Sequence, residues 1–170
     1  MKSICWIFLP LMVLTICMGC QEEPVPQPDP IRTFMLAIVE PEGQLPLDFE
    51  ADEAIGDFNP ETGLLRLQGS SIFNASDKIE LTISEVQEGV LGIYSIGRFD
   101  NADNVRAEYF DDDHSWDARS TSGTFKITKF EPAASGNSYF LSGTFSFKAD
   151  ADGKLLQVRS GEVENALILQ

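Results

Sequence analysis

The chain has 170 residues, with 12 Lys and Arg against 27 Asp and Glu, so its formal net charge is −15. That length fits one domain plus a short leader. A hydrophobic content of 43% excludes a wholly disordered chain. The acidic balance argues against nucleic acid as a partner, because no basic surface is available to displace phosphate counterions. It also argues against electrostatic binding to anionic lipid.

Residues 1–19 have the layout of a secretory signal. Lys2 precedes an apolar run from Ile4 to Met18, which is shorter than the roughly twenty residues that span a bilayer. The boundary residues Gly19 and Cys20 resemble the lipobox of bacterial lipoproteins. This resemblance implies that Cys20 is acylated, for example with palmitate, and becomes the first residue of the mature chain. An ordinary secretory signal and an N-terminal anchor helix are the alternatives.

Cysteine usage agrees with acylation. Cys5, Cys17 and Cys20 are the only cysteines, so a mature chain starting at Cys20 would form no intramolecular disulfide. A single thiol in an oxidising compartment is reactive unless something modifies it. We therefore predict that Cys20 is the lipidation site.

Proline at positions 24, 26, 28 and 30 predicts an extended tether after the lipidated cysteine. We assign residues 20–30 to this tether and residues 31–170 to one β domain. Glu22 and Glu23 resemble the export signal of surface lipoproteins in Bacteroidota. The expected location is the outer membrane with the domain exposed at the cell surface, and a domain facing the periplasm is the alternative.

From residue 31 onward the hydrophobic period is two. Segments such as KIELTIS and VRAEY alternate apolar and polar residues, which is typical of antiparallel sheets with one solvated face. The sequence predicts an all-β fold, either a single antiparallel β-sandwich or a partly closed meander barrel of about nine to ten strands. The strands are expected near residues 31–39, 44–50, 53–58, 63–69, 78–84, 90–95, 104–110, 122–130, 138–148 and 155–169.

The sequence SGTF occurs twice, at 122–125 and at 142–145. We interpret the two copies as neighbouring strands whose glycines lie at bends, where strands twist or pass close to another backbone. Asp152-Gly153 predicts a tight hairpin between the last two strands. Gly161 is expected to bulge or break the final strand.

The C-terminal segments SGTFKITKF and SGTFSFKADADGKLLQVRSGEVENALI resemble small Bacteroidota lipoproteins that carry a domain of unknown function. The resemblance covers roughly residues 78–170. It implies a β fold and an envelope location, and it carries over no catalytic residue.

Acidic side chains flank the strand near 104–110 and offer oxygen ligands to calcium. A site formed by Asp100, Asp103, Asp111, Asp112 and Asp113 is one hypothesis, and a solvated acidic rim is the other. His114 is the only histidine, which excludes a two-histidine metal site. No G-x-S-x-G motif accompanies it, so a solvated loop histidine is favoured over a catalytic one.

Tyr109 and Trp116 lie beside Asp and Asn residues, as ligand-facing aromatics on carbohydrate-binding surfaces do, although strand aromatics are more often core. The favoured function is a non-enzymatic, lipid-anchored envelope protein whose β domain serves in binding or structure, with a glycan or envelope protein as partner. The alternatives are a calcium-assisted glycan-binding module and a small hydrolase. No cofactor is expected apart from that calcium ion.

Overall fold

The structure, a computed structural model, describes residues 32–86, 90–100, 105–134 and 136–170. These residues belong to Ile31–Gln170, the second of the two units into which the chain divides. Within the described ranges there are ten strands and no helix. The strands are β1 (Phe34–Pro41), β2 (Leu47–Ala51), β3 (Ala54–Asn59), β4 (Leu64–Ser70), β5 (Lys78–Ile83), β6 (Gly92–Ile96), β7 (Val105–Asp111), β8 (Trp116–Pro132), β9 (Ser138–Ala151) and β10 (Lys154–Leu169).

The expected all-β fold of about ten strands is confirmed, and each expected strand has a counterpart. The largest boundary difference is in β8, which begins at Trp116 rather than near residue 122. Asp and Ser residues around position 117 favour turns locally, but pairing with β7 holds them in a strand. No helix in the described part of the chain is long and apolar enough to cross a membrane.

Seven strands close into a barrel in the order β3, β4, β5, β7, β8, β9, β10 and back to β3. β1 pairs with β10 outside this ring, β2 pairs with β1, and β6 pairs with β8. The sandwich or partly closed barrel expected from the sequence therefore matches only roughly.

The contact between β3 and β10 is parallel, whereas every other strand pair is antiparallel. A closed ring with an odd number of strands cannot alternate direction throughout, so at least one pair must run in parallel. The prediction of a purely antiparallel sheet is wrong at this pair. Sequence alternation did not reveal it, because it reports which face a residue occupies and not which strands meet.

The core forms one cluster inside the sheet. Its members include the seven apolar residues that alternate along KIELTIS and along the two strands that carry SGTF: Ile79, Leu81, Ile83, Phe125, Ile127, Phe145 and Phe147. Phe125 and Phe145 lie directly opposite each other on β8 and β9, with ring centroids 6.4 Å apart in an edge-to-face arrangement. The repeated SGTF segments are thus neighbouring strands, as expected.

Glycines allow the close approach of backbones that was predicted for the repeat. A Cβ on Gly123 would overlap the carbonyl oxygen of Ser146, and a Cβ on Gly143 would crowd the carbonyl oxygen of Lys126. Gly161 lies against the ring of Phe145, which occupies the space of a side chain there. The chain also shifts register between Val158 and Gly161, so the expected bulge is confirmed.

The hairpin between β9 and β10 turns at Asp152 and Gly153, which have φ of 52° and 87°. Two consecutive positive φ angles are the requirement of a type I′ turn, which Asp-Gly meets well. The amide of Gly153 also donates to Oδ1 of Asp150 at 2.8 Å. This predicted hairpin is confirmed.

Candidate ligand-binding cleft

A cleft of about 450 Å³ lies where the first half of β8, the segment after β6 and the β9–β10 turn meet. Six charged residues line it, namely Arg98, Asp100, Asp117, Arg119, Asp150 and Asp152. The volume falls within the range of about 300–1,000 Å³ that is typical of small-molecule sites. The lining is largely charged and polar, so this cleft suits a ligand with many hydrogen-bonding groups.

Ser120 positions the segment that carries Arg98 and Phe99. Its side chain is only 2% exposed, and its hydroxyl donates to the carbonyl oxygen of Gly97 at 2.9 Å. The same hydroxyl accepts from the amide of Ala107 at 3.1 Å, and the backbone amide of Phe99 donates to the carbonyl oxygen of Ser120 at 2.9 Å. Ser120 thereby holds three segments together and is a positioning residue.

A bulge in β8 determines which side chains face the cleft. The register with β9 shifts between Ser120 and Ser122, so Thr121 is the extra residue. Before the bulge, Asp117 and Arg119 point outward, and beyond it the alternation changes phase so that odd-numbered residues face the core. The cleft therefore lies at the bulge in β8, where the strand twists more strongly and its outward-facing side chains change from odd-numbered to even-numbered.

Arg119 in the cleft contacts one aromatic ring and two carboxylates. Its guanidinium carbon lies 5.0 Å from the ring centroid of Phe99, and that of Arg106 lies 5.5 Å from the same centroid. Arg119 Nη2 is 3.4 Å from Asp117 Oδ2, and Nε is 3.8 Å from Glu108 Oε1. Because these ion pairs are long and the side chain is 51% exposed, the guanidinium retains donor capacity toward a ligand.

Glu108 on β7 lies directly opposite Glu80 on β5 and Arg119 on β8. Burial raises the pKa of Glu108, and the negative charges of Glu80 and Asp117 raise it further. Arg119 and Lys78 oppose this increase in the pKa. The positive charges of Arg119 and Lys78 therefore offset part of the repulsion between Glu80 and Glu108.

The predicted site residues on the β7–β8 turn form a different arrangement. Asp111 is 3% exposed and accepts from the hydroxyl of Tyr109 at 3.1 Å, through Oδ2. It also accepts the backbone amide of His114 at 2.9 Å, and His114 Nδ1 lies 2.8 Å from its Oδ2. Burial and the neighbouring Asp111 raise the pKa of Tyr109, so the hydroxyl stays protonated and donates. Asp111 thus closes a turn with its oxygens already engaged.

Asp77 lies next to this turn and accepts the backbone amide of Asp112 at 3.0 Å. Burial raises the pKa of Asp77, and the charges of Asp111, Asp113 and Asp112 also raise it, although the hydrogen bond from Asp112 lowers it. Asp112 and Asp113 themselves are exposed. This cluster is a solvated acidic rim around one buried carboxylate.

The calcium hypothesis finds no geometric counterpart within the described ranges, where no group of three or more His, Cys, Asp or Glu side chains is placed to hold a metal ion. Asp100 lines the charged cleft, whereas Asp111 closes the β7–β8 turn. Asp103 lies outside the described residues, as does the predicted lipidation site Cys20.

The two aromatics considered as ligand-facing are both buried. Tyr109 is 3% exposed and Trp116 is 6% exposed, and both belong to the core cluster. The ring of Trp116 stacks on that of His114 with centroids 4.5 Å apart. Neither ring is available as a surface platform, because β7 and β8 turn these positions inward.

Sequence reasoning overlooked the cations of the cleft, Arg98 and Arg119, and the carboxylate of Asp117. The segment DARST carries the signal, since its charged residues alternate with small ones as they do in a strand with a polar outer face. The convergence of this segment with the β9–β10 turn depends on the pairing of Arg119 with Asp150. That pairing is nonlocal and has no signature in the sequence.

A family model described as a domain of unknown function (DUF6252) matches residues 43–166. The chain belongs to this family. No curated protein and no solved structure matches the chain. The family match agrees with the expected domain of unknown function and begins at residue 43, between β1 and β2, while the lipoprotein character of the family stays a prediction.

Proposed function

We propose that this member of the DUF6252 family is a lipid-anchored cell-envelope protein whose β domain binds a polar ligand without chemical conversion. The anchor is Cys20, the binding site is the cleft around Arg119, and the residues between Cys20 and Ile31 are the tether. The expected location is the outer membrane, with the domain at the cell surface.

The leader sequence supports the anchor. An apolar run too short to span a bilayer ends at Gly19-Cys20, and no cysteine follows in the remainder of the sequence. Two or more acyl chains give stable attachment, at roughly 0.8 kcal/mol per buried methylene. The net charge of −15 offers no electrostatic substitute at an anionic lipid surface.

The charged cleft is the single observation that carries the binding role. Asp117, Arg119 and Asp150 lie on strands and Asp152 lies in a tight turn, and Ser120 is hydrogen-bonded to the loop segment that carries Arg98 and Asp100. Sites built on rigid elements need little reorganisation when a ligand arrives, and this favours affinity.

His114 is held within the β7–β8 turn and does not line the charged cleft. Its Nδ1 lies 2.8 Å from the buried Asp111, and its ring stacks on Trp116. Its partners Asp111 and Trp116 both lie outside the charged cleft. The histidine therefore has a local structural role in the β7–β8 turn.

A small hydrolase is the second candidate, and the paired carboxylates Glu80 and Glu108 favour it. Glu80 and Glu108 lie directly opposite each other on β5 and β7, and glycoside hydrolysis needs a pair of carboxyl groups. The pKa of Glu108 is raised, as a general acid requires. If this candidate is correct, the protein hydrolyses an oligosaccharide and Glu108→Gln abolishes the reaction. We expect no hydrolysis by the wild-type protein.

Cell fractionation and protease treatment of intact cells test the anchored display. Wild-type protein should sediment with outer membranes and should be digested by protease added outside the cell. Protection until the outer membrane is opened would replace surface display with the periplasm-facing alternative. Wild-type protein in the soluble fraction would contradict the anchor itself.

A further inference from the structure

We infer that the charged cleft binds an uncharged, hydroxyl-rich ligand, a short neutral oligosaccharide being the class that fits. The inference rests on the proposed binding function and specifies its ligand. It depends on which hydrogen-bonding groups line the cleft, how they are already used, and what charge they leave.

The lining combines groups that only donate with groups that only accept. Arg98 and Arg119 are pure donors, and ionised Asp117, Asp150 and Asp152 are pure acceptors. A sugar hydroxyl does both, since it donates one hydrogen bond and accepts up to two. Adjacent hydroxyls on one ring therefore satisfy a guanidinium and a carboxylate that lie side by side, as those of Arg119 and Asp117 do.

The internal hydrogen bonds leave these groups available. Asp150 uses Oδ1 for the amide of Gly153, and no hydrogen bond from the described residues reaches its second oxygen. Within the same described residues, Arg119 makes only long ion pairs, at 3.4 Å to Asp117 and 3.8 Å to Glu108. The hydroxyl of Ser120, in contrast, is fully used within the protein and is not expected to contact the ligand.

The lining of the cleft suits neither kind of ion. Among the described lining residues there are four carboxylates and two guanidinium groups, so a phosphate, sulfate or uronic acid meets a net negative lining on a strongly acidic protein. A cationic group would pair with the carboxylates but would leave Arg98 and Arg119 without acceptors, because such a group only donates hydrogen bonds. A neutral ligand with hydroxyl groups meets neither penalty.

Apolar contact makes a small contribution here. Phe99 is the one hydrophobic side chain among the described residues that line the cleft, and Arg106 and Arg119 both pack against its ring. The ring is therefore engaged by cations and is poorly placed to stack on a ligand. A peptide would leave its apolar side chains without partners, whereas an oligosaccharide has few such groups.

Titration with trisaccharides of different charge tests this inference. The full-length chain, in micelles of a detergent without a sugar headgroup, would be titrated with maltotriose, cellotriose, xylotriose, mannotriose and trigalacturonic acid by calorimetry and ligand-observed NMR. We expect at least one neutral trisaccharide to bind and trigalacturonic acid to bind more weakly. Arg119→Lys and Asp117→Asn should each weaken binding by about tenfold or more, because each removes a hydrogen bond to a charged group.

Arg66→Lys and Asp57→Asn are the matched controls, since both residues are exposed and line a different cleft. They should leave the affinity unchanged. Melting curves of all four variants identify any loss of folding, and Asp117→Asn alters an exposed side chain that is expected to be neutral for stability.

Three results would overturn the inference: no binding of any neutral trisaccharide, preferential binding of trigalacturonic acid, or equal affinities in the cleft variants and the controls. None of these results bears on the anchor, which is measured on the N-terminus. Conversely, a protein without a lipid anchor would still be expected to bind the sugar. The two failures are therefore distinguishable.

Discussion

Glu108 shows how a single carboxylate couples the sheet to pH. Burial and the opposing Glu80 raise its pKa from the ordinary value of 4.5, so the folded protein holds this proton more tightly than the unfolded chain does. Stability from this group is therefore present at low pH and is lost as pH rises from about the ordinary pKa through the raised one. Above that window, the charged group destabilises the fold.

Glu108→Gln should accordingly raise the free energy of unfolding by about 0.5 kcal/mol near neutral pH and should change it less near pH 4. Urea unfolding at the two pH values measures the difference. Glu61→Gln, on an exposed turn, is the control and should be neutral at both. A variant that is less stable than wild type at neutral pH would show that the Arg119 ion pair outweighs the repulsion.

Phe145 is the residue on which the core should depend most visibly. It is 3% exposed and contacts Phe125, Phe147 and the backbone at Gly161. Phe145→Ala should lower the free energy of unfolding by about 3–5 kcal/mol, through lost burial and the cavity that remains. Chemical denaturation measures this loss, with the exposed neighbour Thr144→Ala as control. A loss under about 1 kcal/mol would contradict the assignment of Phe145 to the core.

At the scale of single residues, the sequence predicted the core well, because alternation records burial directly. Tyr109 and Trp116 are possible ligand-facing aromatics by their polar neighbours, but strand aromatics are more often core, and both residues are buried. Asp111 was assigned to a solvated cluster, yet it is buried and hydrogen-bonded to Tyr109 and His114. Local composition could not reveal a carboxylate that its own turn encloses.

The contact between β9 and β10 depends on the glycine at position 161. A Cβ there would overlap the ring of Phe145 across the strand pair. Gly161→Ala should therefore cost about 1–3 kcal/mol by overpacking, without any requirement for a positive φ. In a Phe145→Ala background the ring is gone and the overlap with the carbonyl oxygen of residue 145 remains, so the same substitution should cost less.

A double-mutant cycle on these two positions measures the coupling. The double mutant should lose about 0.5–3 kcal/mol less stability than the sum of the two single-mutant losses. Additive free energies within about 0.5 kcal/mol would show that Gly161 and Phe145 do not share this space. A second cycle that uses Ser146→Ala in place of Gly161→Ala is the control. Ser146 lies on β9 next to Phe145, and its side chain points away from the core.

Strand boundaries and hairpins were predictable at the scale of elements. Asp152-Gly153 combines the two residue types that a tight turn favours, and the duplicated SGTF segments lie opposite each other as expected. The early start of β8 was not predictable, because pairing with β7 overrides the turn preference of Asp117 and its neighbours. The cleft depends on this early part of β8, which explains why its cations were missed.

At the scale of the whole molecule, the closure of the seven-stranded barrel could not be predicted from the sequence. β3 meets β10 over three residue pairs that are more than a hundred positions apart in the chain, and neither strand differs in pattern from its neighbours. The family match over residues 43–166 likewise identifies a domain without naming an activity. The fold class was therefore predictable, whereas the site required the tertiary structure.

Calcium should leave the stability of the whole domain unchanged. The oxygens of Asp111 are engaged by Tyr109 and His114, and the described acidic residues form no metal-binding group. A ligand that binds only the folded state raises the melting temperature, so addition of millimolar calcium is a direct assay. We expect no rise. A rise produced by calcium and not by magnesium would reinstate the site proposed for Asp100, Asp103 and Asp111–Asp113.

The central claim is that the β domain is attached to the cell envelope through lipid on Cys20. Labelling cells with a fatty acid and measuring the mass of the mature N-terminus tests it most directly, with Cys20→Ser as the control. We predict a labelled wild-type chain that begins at Cys20 and carries at least two acyl chains, and an unlabelled, unprocessed variant. An unlabelled wild-type chain, or one that begins at any other residue, would contradict the claim.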